Sequence, residues 1–201
     1  ACEGANTCTG RRAPPPQQAA HSSSRSPGPS IAAPPASAAA LVATMSKAPA
    51  DLSSYVSKDG THGLNVDTRY PMSNLDNSDA RMQVRSDADD QLILHFAFTE
   101  KVKLTGFSIQ APTDEFMPKH IKLFTNQVSV DFNDVESIPA AIEMDLEASD
   151  LDGEKMFPLR VVKFNGIHSI TLFVESSEGG DVAAVSAVKF FGETLQGTNM
   201  S

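Results

Sequence analysis

From Leu92 onward, apolar residues recur with a period of two or gather in short runs, the pattern that marks β-strands. Leu92, Leu94, Phe96 and Phe98 alternate with Ile93, His95 and Ala97, which predicts a central strand buried on both faces. Val102 and Leu104, then Phe107 and Ile109, straddle Gly106, where the spacing predicts a bulge or a close backbone approach. Ile121 with Leu123, and Ile142, Met144 and Leu146, give two further strands. Leu159, Val161, Val162 and Phe164 form another run, separated by Asn165-Gly166 from Ile170, Leu172 and Val174. Asn-Gly between two such runs predicts a hairpin. Met82 and Val84 open the series, and Val185, Val188 and Phe190 close it.

Helical signals are few. Asp51 stands where it would cap a short helix through Val56, with Leu52, Tyr55 and Val56 on one side. Gly, Asn, Asp and Ser then punctuate a stretch read as loop to about Ala80, and Asp131 to Glu136 read as one short helix. Many short strands without crossover helices fold as a sandwich or a barrel. The expectation is an all-β fold, an antiparallel two-sheet jelly-roll β-sandwich.

Composition divides the chain near residue 50. The first 50 of the 201 residues hold 8 of the 13 Pro, both cysteines, four bases, one acid and no Phe or Tyr. A Pro/Ala/Ser mixture buries too little to offset chain entropy, so residues 1–50 are expected to be a disordered extension and 51–201 the folded domain. Three readings of the extension stay open: a start assigned upstream of Met45, a genuine tail, or a targeting peptide. The whole chain carries −9 and the first 50 residues +3, leaving −9 − 3 = −12 on the domain. That charge repels phosphate, so nucleic acid is not expected as a partner, and no apolar run is long enough to predict a membrane-spanning helix. Cys2 and Cys8 both precede the domain, which leaves it without a thiol for redox or nucleophilic chemistry.

The segments DLSSYV, GLN, RSDADDQLILHFAF, KVKLTGFSIQAP, MPKHIKLFTN, VDFNDV, PLRVVKFNGIHSITLFV and FFGETLQGTNM follow one another in an order that resembles the PITH domain family from about Asp51 to Met200. The resemblance implies a galactose-binding-like jelly roll, a cytoplasmic and nuclear location, and a non-enzymatic protein-interaction role as an adaptor on the 26S proteasome, through its regulatory particle, or on another large protein assembly. Gly63 stands where relatives commonly carry Cys, and Ala111-Pro112 where they carry Gly-Pro.

The remaining chemistry is sparse. Asp87, Asp89 and Asp90 lack the glycine and distal glutamate of a calcium loop and read as caps of a turn. His62, His95, His120 and His168 are dispersed, without the paired spacing of a zinc site. No serine sits in a Gly-x-Ser-x-Gly elbow, and Asp114-Glu115 read as a loop pair, so no enzyme, metal site or cofactor is expected. Lys101, Lys103, Lys119, Lys122, Arg160 and Lys163 are the candidate protein contacts, with Lys101 and Lys103 placed by alternation on the solvent face. The alternative function is a small-ligand or carbohydrate-binding jelly roll, against which stand the absence of Trp and the position of Tyr55 and Tyr70 outside the main strand series.

Overall fold

The computed structural model describes residues 49–195 apart from 77, 78, 80 and 128. Most of the extension expected to be disordered therefore lies outside the described residues. Ten strands follow in chain order: β1 (Ala50–Asp51), β2 (Val56–Leu64), β3 (Val84–Arg85), β4 (Leu92–Gln110), β5 (Pro118–Thr125), β6 (Ile142–Asp145), β7 (Phe157–Pro158), β8 (Asn165–Ser177), β9 (Ala184–Val185) and β10 (Ala187–Thr194). A single turn of α-helix, α1 (Asp134–Ser137), overlaps the short helix read at 131–136, and 310 turns supply the rest.

All pairings are antiparallel, and β4 is the strand around which they are organised. Its first half lies between β2 and β8, and the order continues through β5 to β6. Its second half pairs with β10, which carries β1 on its far side, and with β7. The ladder to β8 is interrupted between Ala97 and Val102 and resumes at Val102 and Lys103, where β10 takes the place of β2 as the other neighbour. This one bent strand of 19 residues replaces the two strands expected from sequence. Gly106 marks a bulge as expected: Phe191 pairs with Gly106 but Gly192 with Leu104, so Thr105 is the extra residue. The inserted residue shifts the inward phase from even positions (Val102, Leu104) to odd ones (Phe107, Ile109), all four fully buried.

The main core joins the inner faces, with Leu92, Leu94, Phe96, Ile121, Leu123, Leu172 and Val174 meeting Leu104, Phe107, Ile109 and Phe190. A smaller cluster covers the opposite face of the β4-β8-β5 region, where Ile93, Phe124 and Phe173 pack under Val130, Val135, Phe132 and Ile138. That second layer buries Ile93 on the face opposite Leu92 and Leu94, while His95 on the same face is buried against His62 and Thr171.

Three local readings are corrected. The segment after Tyr55, read as loop, contains the nine-residue strand β2. Its sequence VSKDGTHGL is polar because it runs along β4 at a sheet edge, and its pairing lapses between Ser57 and His62. The helix expected from Asp51 to Val56 is a 310 turn over Ser53–Tyr55; Asp51 does accept from the Ser53 amide at 2.8 Å, but Val56 already opens β2. The 159–164 run is not a strand, and Asn165-Gly166 is not a hairpin turn but the start of β8. The chain reverses at residues 160–163 instead, where the amides of Lys163 and Phe164 donate to the carbonyls of Arg160 and Val161. Burying Leu159 and Phe164 at its two ends turns Val161 and Val162 outward.

Gly63 faces a filled space. A Cβ there would lie 2.5 Å from Val66 Cγ2 and 2.8 Å from Met72 Sδ. Introducing the family's cysteine by Gly63→Cys is therefore expected to destabilise the domain by about 1–2 kcal/mol, read from urea denaturation midpoints, because both neighbours must shift.

Candidate functional site

The structure divides the six basic candidates into two groups. Lys119 and Lys122 lie on β5 and are engaged by acids: Lys119 Nζ is 2.8 Å from Glu178, and Lys122 Nζ is 2.9 Å from Glu175 and 3.6 Å from Glu143. Lys101, Lys103, Arg160 and Lys163 gather elsewhere. The 160–163 turn is tied to β4 on both sides, the Leu159 amide donating to Thr105 O and the Leu104 amide to Phe164 O, each at 2.9 Å. Lys103 is in register with Asn165, next to that turn. The β10 end lies on the other side of β4, where the Leu195 amide donates to Lys101 O at 2.7 Å.

This region combines bases with uncovered apolar groups. Val162 is 95% exposed, and Val161, Met156 and Leu195 are also exposed. Arg160 and Lys163 bracket the two valines. Lys163 Nζ donates to Ala141 O at 3.1 Å, and Lys103 Nζ stands 4.0 Å from Glu193. The turn is a braced projection because its flanking Leu159 and Phe164 are in the core. Sequence pattern missed it, as Val161 and Val162 carry the same hydrophobic signal as a buried strand.

A groove of about 650 Å³ lies in another part of the domain. Half-buried Val56, Met72, Leu75 and Val188 line it together with buried Phe96, while Asp51, Lys58, Thr61, Gln110 and Lys189 supply polar groups. Neither Tyr55 nor Tyr70 lines it.

Sequence reading also missed a network in which β5, β6 and β8 bring charges together. His120 Nδ1 is 2.7 Å from Asp145 Oδ1, and its Nε2 is 3.1 Å from Glu143 and 3.3 Å from Glu175. The only signal was opposite charge at alternate positions, His120 and Lys122 on one strand and Glu143 and Asp145 on another. The hydrogen bond with Asp145, joined by that with Glu143 and by the charge of Glu175, raises the imidazole pKa above its ordinary value against the opposing effect of burial. His120, Glu143 and Glu175 have the donor types of a metal site, but Lys122 sits among them and both ring nitrogens face carboxylates. A raised histidine pKa stabilises the fold fully below the unfolded value of about 6.5, and the gain fades as pH rises through the higher folded value. His120→Gln is accordingly expected to cost about 1 kcal/mol at about pH 5.5 and markedly less at about pH 8.5, measured by urea unfolding at both pH values.

The other titratable candidates have structural partners. His95 Nδ1 pairs with Thr171 Oγ1 at 2.9 Å, and its pKa is lowered by burial, then by neighbouring His62. Asp89 accepts from the Asn65 side chain at 2.7 Å and from the Gln91 amide, and Asp90 accepts from the Ser177 amide at 2.8 Å, so these acids hold the turn before β4. Among the described residues, no helix is long and apolar enough to cross a membrane.

Comparison with known proteins agrees with this architecture. The F5/8 type C domain of a Bacteroides fragilis protein superposes with a TM-score of 0.54 at 10% identity, covering 74% of this chain and 99% of that one. The family 32 carbohydrate-binding module of Clostridium perfringens NanJ, solved in complex with galactose, gives 0.51 at 11% identity, covering 71% and 98%. The fold is thus a galactose-binding-like jelly roll. A PITH domain-containing protein of Caenorhabditis elegans is 34% identical over 120 residues, 59% of this chain and 57% of its own. Thioredoxin-like protein 1 of Schizosaccharomyces pombe is 31% identical over 137 residues, covering 66% and 47%, and human PITH domain-containing protein 1 is 29% identical over 110, covering 55% and 51%. The chain spans about half the length of these curated relatives. The PITH domain model matches residues 43–201, and with the ordered strand set described above this places the chain in the PITH domain family.

Proposed function

We propose that this chain is a non-enzymatic protein-interaction module, an adaptor that associates with the 26S proteasome or another large protein assembly in the cytoplasm and nucleus. The observation that carries the reading is the 160–163 turn, which holds Val162 95% exposed between Arg160 and Lys163 on a braced support. An exposed apolar group on a rigid projection has its best use in a partner's pocket, and bases around it steer an acidic partner surface. Family membership supports the same class, since PITH domains and galactose-binding-like modules are non-catalytic domain types.

The test is affinity capture from lysate with the full chain and with a Val162→Asp, Arg160→Glu double variant. Wild type is expected to recover regulatory-particle subunits and the variant to lose them. Recovery of a different assembly through the same turn would remove the proteasome and keep the module class. Turnover of a substrate by the purified chain would remove the class.

The groove favours a second reading, a small-ligand or carbohydrate-binding domain, because its volume lies in the range of ligand sites. Its only aromatic, Phe96, is 4% exposed and offers little ring face for a sugar to stack on. A galactose titration followed by amide chemical shifts tests it: shifts at Thr61, Gln110 and Val188 would support this reading, and an unchanged spectrum would end it for galactose.

A further inference from the structure

The Asn165-Gly166 pair, which opens β8 instead of forming a hairpin turn, has a reactivity of its own. Val102 is in register with Ile167 but Lys103 with Asn165, so Gly166 is an extra residue without a partner on β4, a bulge. Its φ is +72° and nothing lies within 4 Å of where a Cβ would be, so the peptide joining the pair borders open space. The Asn165 side chain is exposed, and among the described residues no hydrogen bond or ion pair engages it. The other described asparagines differ. Asn65 accepts from the Ala88 amide at 3.0 Å and donates to Gln91 O at 2.7 Å, Asn74 donates to Gln83 O at 2.8 Å, and Asn126 accepts from the His168 amide at 2.7 Å. Asn133 is followed by Asp134, whose side chain shields the next backbone nitrogen, whereas glycine leaves that nitrogen bare.

We propose that Asn165 is a site of spontaneous covalent modification, converting to aspartate and isoaspartate through a succinimide formed with Gly166. The Gly166 backbone nitrogen gives up its proton to solvent and attacks Asn165 Cγ; a C–N bond forms, the carboxamide C–N bond breaks, and the carboxamide nitrogen takes a proton and leaves as ammonia. Water then opens the five-membered ring. Attack at one carbonyl gives aspartate and at the other isoaspartate, so the net change is carboxamide plus water to carboxylic acid plus ammonia. Lys103, in register with Asn165, and Arg160 and Lys163 in the turn before it favour the negative charge that develops on nitrogen and oxygen. The acid across Lys103 is Glu193, 4.0 Å from its Nζ, one carboxylate against three bases. The product puts a new negative charge among the bases around the 160–163 turn. Isoaspartate also adds one atom to the main chain between Phe164 and Ile167, which the core holds at 0% and 1% exposure, so the bracing of the turn changes with its charge. That consequence for binding rests on the proposed role of the turn; the chemistry does not.

The experiment is a timed incubation of the full chain at physiological temperature and pH, followed by peptide mapping in a mass spectrometer, with isoaspartate counted by the methyl groups that an isoaspartyl methyltransferase adds. Asn165 is expected to convert at least tenfold faster than Asn65, Asn74, Asn126 and Asn133, with isoaspartate exceeding aspartate, and within about fivefold of the rate in a synthetic peptide of residues 160–170. Gly166→Ala is expected to slow conversion at least tenfold, and Asn165→Gln, which leaves the glycine in place, to abolish it. A smaller margin over the other asparagines, or a rate further below that of the peptide, would overturn the inference. Asn165→Asp is expected to weaken binding to purified proteasomes several-fold, and equal binding would overturn the effect on the turn. A wild type that does not bind ends the proteasome reading, while the peptide map still decides the modification.

Discussion

Gly192→Ala is expected to lower the stability of the domain by about 3 kcal/mol or more, a drop of roughly 6–12 °C in melting midpoint. A Cβ at Gly192 would overlap the Lys103 carbonyl oxygen and stand 3.0 Å from Leu104 Cα. Both are backbone atoms of the central strand, held by the β10 ladder at the bulge, so no side chain can rotate away to make room. Gly166→Ala is the natural comparison. Gly166 has φ +72° but nothing within 4 Å of its Cβ position, so that substitution costs only the left-handed backbone penalty of about 1–2 kcal/mol. If Gly192→Ala melts as wild type does, the close approach of β10 to β4 is wrong.

Phe190→Ala is expected to cost about 4 kcal/mol, and Phe190→Leu less than half of that. The ring is 1% exposed and meets Phe96 and Phe98 edge-on, with centroids 5.2 and 5.6 Å away. Phe96 and Phe98 come from the first half of β4, whereas Phe190 pairs with its second half, so this trio joins the two sets of strands across the core. Removing the ring leaves a cavity between them as well as exposing two edge-to-face partners. Equal costs for the Ala and Leu variants in urea unfolding would mean that packing volume at this point does not matter.

These costs fall on strands whose inward residues sequence pattern picks out well. Alternation is a direct record of burial, so Leu92–Phe98, Ile121–Leu123, Ile142–Met144 and Ile170–Val174 were legible. The pattern fails where burial and strand formation part. The strand β2 is polar because it lies at an edge, and Val161 and Val162 are apolar without being buried. Continuity of β4 was hidden because the Thr99-Glu100-Lys101 stretch reads as a polar break, although the strand passes through it. The bulge, by contrast, announced itself through Gly106 and the change of phase. Of the candidate contacts, the residue types were legible but their grouping was not. Lys101 and Lys103 are some sixty residues from Arg160 and Lys163, and only the ties of Leu159 and Phe164 to β4 bring the pairs together.

If the 160–163 turn carries the interaction, binding must depend on Val162 and Arg160. The most direct test is binding of the purified full chain to purified 26S proteasomes, measured by biolayer interferometry for wild type, the Val162→Asp, Arg160→Glu double variant, and Lys122→Gln as a control on the other basic group. Wild type is expected to bind, the turn variant to bind at least tenfold more weakly, Lys122→Gln to bind as wild type does, and added salt to weaken the wild-type complex. Absence of wild-type binding would contradict the proteasome assignment, and equal binding by the wild type and the turn variant would contradict the assigned surface.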